Sequence, residues 1–222
     1  MRSFTWEMVC RRRLAHHHLL APVPAARLVD AVSSVGGVQA QILSAAELGI
    51  GVRVAGITRQ DVQATLWKQH ALVKTYGPRG TLHLLPADEL SLWMAALRAC
   101  EMRSESHWYA AAGLEPAQAD ALLEAIGEAL DRRCLTRQEL ADEVAQRVGA
   151  WARERLLSAW GEWLAPAAYI GRLCFGPSRG NQVTFVRADQ LVDGWQERDA
   201  EQALVEVCRR YFATYGPASH QD

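Results

Sequence analysis

The chain lacks most of the marks that fix a protein's class at once. It has no apolar run of the roughly 20 residues needed to cross a bilayer, so no membrane span is expected. Arg11-Arg12-Arg13 is not followed by an apolar block or a small-residue cleavage site, which argues against a secretory signal. The five cysteines (Cys10, Cys100, Cys134, Cys174 and Cys208) are scattered, odd in number and never in a Cys-x-x-Cys pair. That pattern points to reduced thiols in a cytoplasmic protein and away from a zinc site. There is no Gly-x-Gly-x-x-Gly and no phosphate loop, so no nucleotide, flavin or metal cofactor is expected. An excess of positive charge is missing too: 24 Lys and Arg stand against 25 Asp and Glu, a net charge of −1. This composition does not suggest a purely electrostatic binder of nucleic acid.

What is present is a chain of 222 residues, 50% hydrophobic, with ample material for a large core in one domain or two. The charge is unevenly spread. Residues 1–100 carry 11 Lys or Arg against 6 Asp or Glu, and residues 101–222 carry 13 against 19, so the charge balance allows a local basic face in the N-terminal half. Apolar spacing predicts helices over Thr5–Leu19, Ala25–Val35, Gln41 to about Gly49, and Thr58–Gln69, the last opened by the cap-like Thr58-Arg59-Gln60-Asp61. Three consecutive histidines, His16 to His18, project about 100° apart on a helix and do not converge on one ion; a solvated helix end is expected. Two strand patterns follow, Ala71–Tyr76 and Gly80–Leu85, joined by a turn at Gly77-Pro78. Helices followed by a two-stranded hairpin are the winged-helix arrangement, so the fold is read as mainly α with small β-hairpin wings.

The unit recurs. Thr58-Arg59-Gln60-Asp61-Val62 matches Thr136-Arg137-Gln138-Glu139-Leu140, the block from Tyr76 to Gly80 matches that from Phe175 to Gly180, and the block from Leu84 to Leu90 matches that from Phe185 to Leu191. The expected organisation is residues 1–86 for an N-terminal helix and a first winged-helix unit, 87–116 for connecting helices, 117–191 for a second unit, and 192–222 for a helix and the start of a third. In the second unit the helices are expected at Pro116–Arg132, Thr136–Val148 and Trp151–Ala165, and the wing at Arg172–Phe175 with Gln182–Arg187. Ser219-x-x-Asp222 has the spacing of a helix cap, so the chain reads as a fragment or as a shortened member of a longer class.

Three features together resemble the AlkZ/YcaQ type of winged-helix DNA glycosylases: Gln39-Ala40-Gln41, the block Arg79-Gly80-Thr81-Leu82-His83 with its Tyr76-Gly77-Pro78 lead-in, and Tyr215-Gly216-Pro217-Ala218. Family members are longer, with three winged-helix units and a further C-terminal domain. Gln41 stands where the YcaQ branch has Asp, so the resemblance is to the AlkZ branch. The resemblance implies excision of alkylated bases, cross-linked ones included, from double-stranded DNA. It also implies that Gln39 and Gln41 are the catalytic pair, set in a concave channel between the winged helices. A monomer in the cytoplasm, at the nucleoid, is expected.

Two neutral amides neither donate nor take up a proton near neutral pH; they only donate and accept hydrogen bonds. Ordinary glycoside hydrolysis needs an acid for the leaving group. A purine alkylated at N7 is already cationic and departs neutral without one, so two amides suffice to place water and aim a dipole at the developing sugar cation. Residues i and i+2 share a side only in an extended segment, so both amides reach one pocket only if the stretch after Gly36-Gly37 is not helical. The alternative is that each amide merely bonds local backbone at a helix start.

Arg79 and Arg179, at the tips of the two wings, are candidates for phosphate contact; the alternative is a solvated turn arginine. Thr81 and His83 belong to the resembling block and are assigned to DNA binding with it. Lys74 and Arg53 are further candidates of the same kind. Glu47 is the acid nearest to Gln41, with an idle charge on a helix surface as its plain reading. The helical tryptophans at 67, 93, 151, 160 and 163 read as core rather than as base-stacking platforms. Two rival functions share the fold: a winged-helix transcription regulator and a non-catalytic DNA-binding or scaffold protein.

Overall fold

The computed structural model describes residues 4–102, 113–158 and 163–218. The expected connection after residue 102, Trp160 and the cap at Ser219 lie wholly or partly outside these residues.

Helix α1 (Trp6–His16) starts where the Thr5 hydroxyl accepts from the Met8 N–H. A short strand, β1 (Val23–Pro24), leads into a single 3-10 turn and α2 (Leu28–Ser34). The helix stops at Gly36 and Gly37, with φ of 73° and 96°. At Gly37 a Cβ would stand 2.5 Å from Leu85 Cδ2, so both conformation and space require glycine there. The chain continues through β2 (Val38–Gln39), α3 (Leu43–Gly51), β3 (Val54–Ala55) and α4 (Arg59–Trp67) into a hairpin of β4 (Leu72–Tyr76) and β5 (Leu82–Pro86). Helix α5 (Leu90–Met102) follows. The second half runs α6 (Pro116–Ala129), β6 (Leu135–Thr136), α7 (Arg137–Val148), α8 (Trp151–Ser158) and α9 (Leu164–Tyr169). A second hairpin of β7 (Cys174–Arg179) and β8 (Gln182–Val186) is followed by the one-turn α10 (Ala188–Leu191) and by α11 (Ala200–Tyr215).

Six strands form one antiparallel sheet in the order β2-β5-β4-β7-β8-β6. In each half a two-residue strand ahead of the helices pairs with the second strand of its own hairpin: β2 with β5, and β6 with β8. Strand, two or more helices and a hairpin whose last strand returns to the first is winged-helix topology, so the protein is mainly helical with β-hairpin wings. The hairpins are not free arms. They meet at β4 and β7, where Lys74 faces Phe175, and the wings of both units share one sheet.

The first hairpin lies between two cores. Leu72 and Leu84 belong to a cluster with Val32, Ile50 and Leu66. Val73 and Leu85, their neighbours in sequence, belong to a larger one with Leu90, Ile126, Leu140 and Trp163. Each of these leucines is fully buried, worth about 1.5–3 kcal/mol apiece, which pins the register of β5 on both faces.

Several elements depart from expectation for identifiable reasons. Both Thr58 and Thr136 open helices with reciprocal capping boxes, to Asp61 and Glu139. The Thr58 helix runs straight on to its hairpin, whereas two further helices separate the Thr136 helix from its own. The shared spelling therefore marks helix starts rather than equivalent helices. In the second wing Gly176-Pro177 lies inside β7 and not at the turn; the missing N–H of Pro177 is accommodated by a bulge between Gly176 and Arg179. The end of α1 is not simply solvated: the His17 ring is half-buried and stands edge-on to Tyr215 at 4.9 Å.

Candidate functional site

The Gln39-Ala40-Gln41 triplet is not helical: the two glycines before it end α2, β5 recruits Val38–Gln39 as an edge strand, and Gln41 lies in a bend ahead of α3. Gln39 pairs with His83, and the Ala40 N–H donates to the Leu82 carbonyl at 2.6 Å. Ala40 is completely buried while Gln39 and Gln41 are exposed. Both amides thus stand outside the core on either side of an anchored alanine. Gln41 is not idle: its Oε1 accepts from the Leu82 N–H at 3.2 Å. That contact engages the carbonyl end of the amide; among the described residues its NH₂ end has no hydrogen-bond partner. Among the described residues the Gln39 side chain has no hydrogen-bond partner, so both its ends are open to a ligand.

His83 stands directly opposite Gln39 on one side and Thr75 on the other. Paired residues across a ladder share a face, so Gln39, His83 and Thr75 form one polar row across three strands. The His83 Nδ1 lies 3.0 Å from the Thr81 carbonyl. A carbonyl only accepts, so Nδ1 carries the proton and Nε2 keeps its lone pair. Burial, and next the charge of Arg79, push the His83 pKa below its ordinary value, though the Thr81 bond opposes them. The ring occupies the place of a missing side chain: a Cβ on Gly77 would meet Nδ1 at 2.7 Å. The sequence pattern reads Gly77 as a turn residue and gives no signal for this second duty.

The charge of Arg79 acts on this row at His83, and Arg53 lies near Tyr215 and His17. Arg79 sits exposed at the wing tip with φ of 62°, held there by the tight turn of Pro78–Gly80. Arg53 caps the C-terminal end of α3 by donating from Nη1 to the Gly49 carbonyl at 2.6 Å. The charges of Arg53 and Arg79 both act on Tyr215, whose pKa burial holds above its ordinary value. The Tyr215 hydroxyl donates to the Val35 carbonyl at 2.9 Å, immediately before the two glycines that aim β2. Tyr215 is the residue of the site whose role the sequence left open; its place in the Tyr-Gly-Pro-Ala block is the signal that marks it.

Other candidates are placed elsewhere. Thr81 lies beside His83, but its hydroxyl donates to the Pro78 carbonyl at 3.1 Å and braces the turn. Lys74 alternates to the opposite face of β4 from Thr75, with Nζ 5.4 Å from the centroid of the Phe175 ring. Arg179 is engaged by both oxygens of Glu139, at 2.8 and 3.1 Å, and by the Cys134 carbonyl at 2.8 Å. Glu47 is not a surface charge: it is 6% exposed and bound by Arg59 at 2.9 Å and Gln63 at 2.7 Å. It braces α3 against α4. Among the described residues no group of three or more His, Cys, Asp or Glu is arranged to hold a metal ion. No helix among them is long and apolar enough to cross a membrane.

An open acceptor on Gln39, a fixed donor on Gln41, an imidazole lone pair between strands and flanking arginines can orient water and an anionic backbone. They offer no carboxylic acid for a leaving group. An interstrand DNA cross-link repair glycosylase of Streptomyces sahachiroi is 35% identical over 218 residues, which are 97% of this chain and 58% of that protein. The solved structure of the Streptomyces sahachiroi DNA glycosylase AlkZ superposes with a TM-score of 0.89 at 33% identity, covering 98% of this chain and 59% of that one. The chain thus spans somewhat under two thirds of the length of the relatives it matches. The model of the family described as DNA glycosylase AlkZ-like matches residues 32–222. This chain therefore belongs to the AlkZ-like DNA glycosylase family.

Proposed function

We propose that the protein is a DNA glycosylase that hydrolyses the N-glycosidic bond of cationic alkylated bases in double-stranded DNA. N7-alkylpurines are the expected class, and cross-linked ones are included. The supporting observation is the polarity of the amide pair. Gln41, anchored at the Leu82 N–H, presents donors to the departing base or the backbone. Gln39, whose carbonyl is open, serves as acceptor for water and faces the developing sugar cation. Neither amide is an acid, which suits a base that leaves neutral and does not suit one that must be protonated first. Arg79 supplies positive charge beside the row for phosphate contacts and Arg53 supplies more near Tyr215, with His83 and Thr81 lining the row. Lys74 and Arg179 are left out of this face because their side chains are directed elsewhere. The protein is expected to act in the cytoplasm at the nucleoid, as a monomer and without a cofactor.

The rival reading as a sequence-specific regulator loses its reader helix. On α4 Arg59 and Gln63 are both held by Glu47, and Asp61 is held in the capping box. Too few side chains remain to reach base edges. The test is release of 7-methylguanine from methylated duplex DNA of mixed sequence. Release by the wild-type chain, and its loss in Gln39→Ala/Gln41→Ala, support the reading. Undiminished release by the double variant removes the amides from the mechanism, and a footprint on one palindrome without release favours the regulator.

A further inference from the structure

We propose that His83 is the proton acceptor of the reaction, its Nε2 receiving the proton that the attacking water loses as its oxygen bonds to C1′ of the damaged nucleotide. The inference rests on the glycosylase reading and deepens it at a point the amides leave open. A cationic base needs no proton to depart, but the incoming water must shed one, and no amide can take it near neutral pH. Strands β2, β4 and β5 contain no Asp or Glu, so no carboxylate stands in the row to do so.

Three observations place His83 in that role. The first is its tautomer: Nδ1–H is committed to the Thr81 carbonyl, so the lone pair sits on Nε2, at the end of the ring away from the backbone. The second is register. The Ala40 N–H carries the ladder bond to Leu82, which leaves Gln39 and His83 as a non-hydrogen-bonded pair. Facing Cβ atoms in such a pair stand about 4.5–5.5 Å apart, so one water can donate one hydrogen to the Gln39 carbonyl and the other to Nε2 while its oxygen lone pair stays free to attack. The third is fixity: His83 is 6% exposed and its ring is lodged over Gly77, which no other residue could replace without moving it.

The step balances. The water oxygen supplies the electron pair of the new C1′–O bond. The pair of the C1′–N bond leaves with the base and cancels its positive charge. The proton passes from water to Nε2, giving an imidazolium that returns it to solvent.

Among the described residues, Arg79 is the charged group that acts on His83, from the turn, and Tyr215 lies beyond Arg79 on α11. Lys74 is on the far face of β4, and Arg27, in the turn before α2, pairs with Asp30 of α2 at 2.8 Å. Burial and the positive neighbour both favour neutral imidazole, the form able to accept a proton.

The test is single-turnover release from a duplex carrying one N7-methylguanine, followed from about pH 5 to 8.5, for wild type, His83→Gln and His83→Ala. The wild-type rate is expected to fall on the acid side as the imidazole is protonated. In His83→Gln, which keeps a hydrogen-bonding group but cannot take a proton, the rate at neutral pH drops about 100-fold and the acid limb disappears. Circular dichroism confirms folding; should His83→Ala not fold, the Gln variant decides. A His83→Gln rate within about 3-fold of wild type, or an acid limb that persists in it, overturns the role of His83 alone. Absence of release by the wild-type chain overturns the glycosylase reading and the role with it.

Discussion

Tyr215 and Val35, 180 residues apart in sequence, are joined by a 2.9 Å hydrogen bond from the phenol to the backbone carbonyl. One residue earlier in each segment the Thr214 hydroxyl donates to the Ser34 carbonyl at 3.0 Å. The last helix thus grips the end of α2 at the point where Gly36 and Gly37 turn the chain into the amide-bearing strand. Tyr215→Phe removes one bond and leaves a part-buried carbonyl unpaired, a cost of about 0.5–1.5 kcal/mol. The expected melting temperature is lower by about 1–6 °C. Base release should fall by more than the loss of folded protein accounts for, because the aim of Gln39 relaxes.

Gly77→Ala tests the seat of the imidazole. The backbone at Gly77 is extended, with φ of −124°, so alanine adopts it without strain, and the conflict is purely one of space with the His83 ring. Overpacking of this kind costs about 1–3 kcal/mol. Denaturant unfolding should show that loss, and single-turnover release should drop as the ring is pushed off its position. A variant of unchanged activity would separate the ring's place from the chemistry.

Glu47→Ala separates bracing from catalysis. The carboxylate holds Arg59 and Gln63 on α4, and Arg59 is largely exposed, so screening reduces its share. Loss of the buried partner is expected to cost about 1–3 kcal/mol, with the release rate per folded molecule unchanged. A large fall in rate at undiminished stability would instead make Glu47 an acid of the mechanism.

The pH dependence of stability has a defined sign. His17, His18 and His83 all have folded pKa values held below the ordinary imidazole value, burial being the first cause in each. On acidification the unfolded chain takes up these protons first. Their stabilising contribution is therefore present above about pH 6.5 and lost as the pH falls from there toward the lowered folded values. Urea midpoints should decline across that window, and His17→Gln with His83→Gln should flatten the decline. Asp61, Glu139, Asp142 and Glu143 have lowered pKa values from their hydrogen bonds, Glu143 to about 2. Their contribution is lost separately, in the more acid range below the ordinary carboxylate values.

Much of this was legible in the sequence because local chemistry and packing agree. Thr58 and Thr136 announce helix starts, and both do cap helices. The alternation around Val73 and Leu85 announces strands, and both are strands. The need for a non-helical Gln39-Ala40-Gln41 follows from side-chain periodicity and two glycines. What the sequence hid is tertiary. β2 is only two residues long and exists because β5 offers an edge. Gly77-Pro78 and Gly176-Pro177 are spelled alike, yet one opens a turn and the other lies in a strand, because a bulge beside β8 absorbs the second proline. Arg179 looks like Arg79 at the level of residue type, but Glu139 and Cys134 are within its reach and engage it. Glu47 looks like a surface charge until α4 packs over it.

The proposed reaction requires a leaving group that is positively charged before the enzyme touches it. The direct measurement is single-turnover release from two duplexes identical but for one base, cationic N7-methylguanine in one and neutral O6-methylguanine in the other. Release of the first and none of the second, with the first reduced about 100-fold or more by Gln39→Ala/Gln41→Ala, is the predicted result. Comparable release of both bases would contradict it, since two amides and an imidazole that only accepts a proton cannot drive out a neutral base.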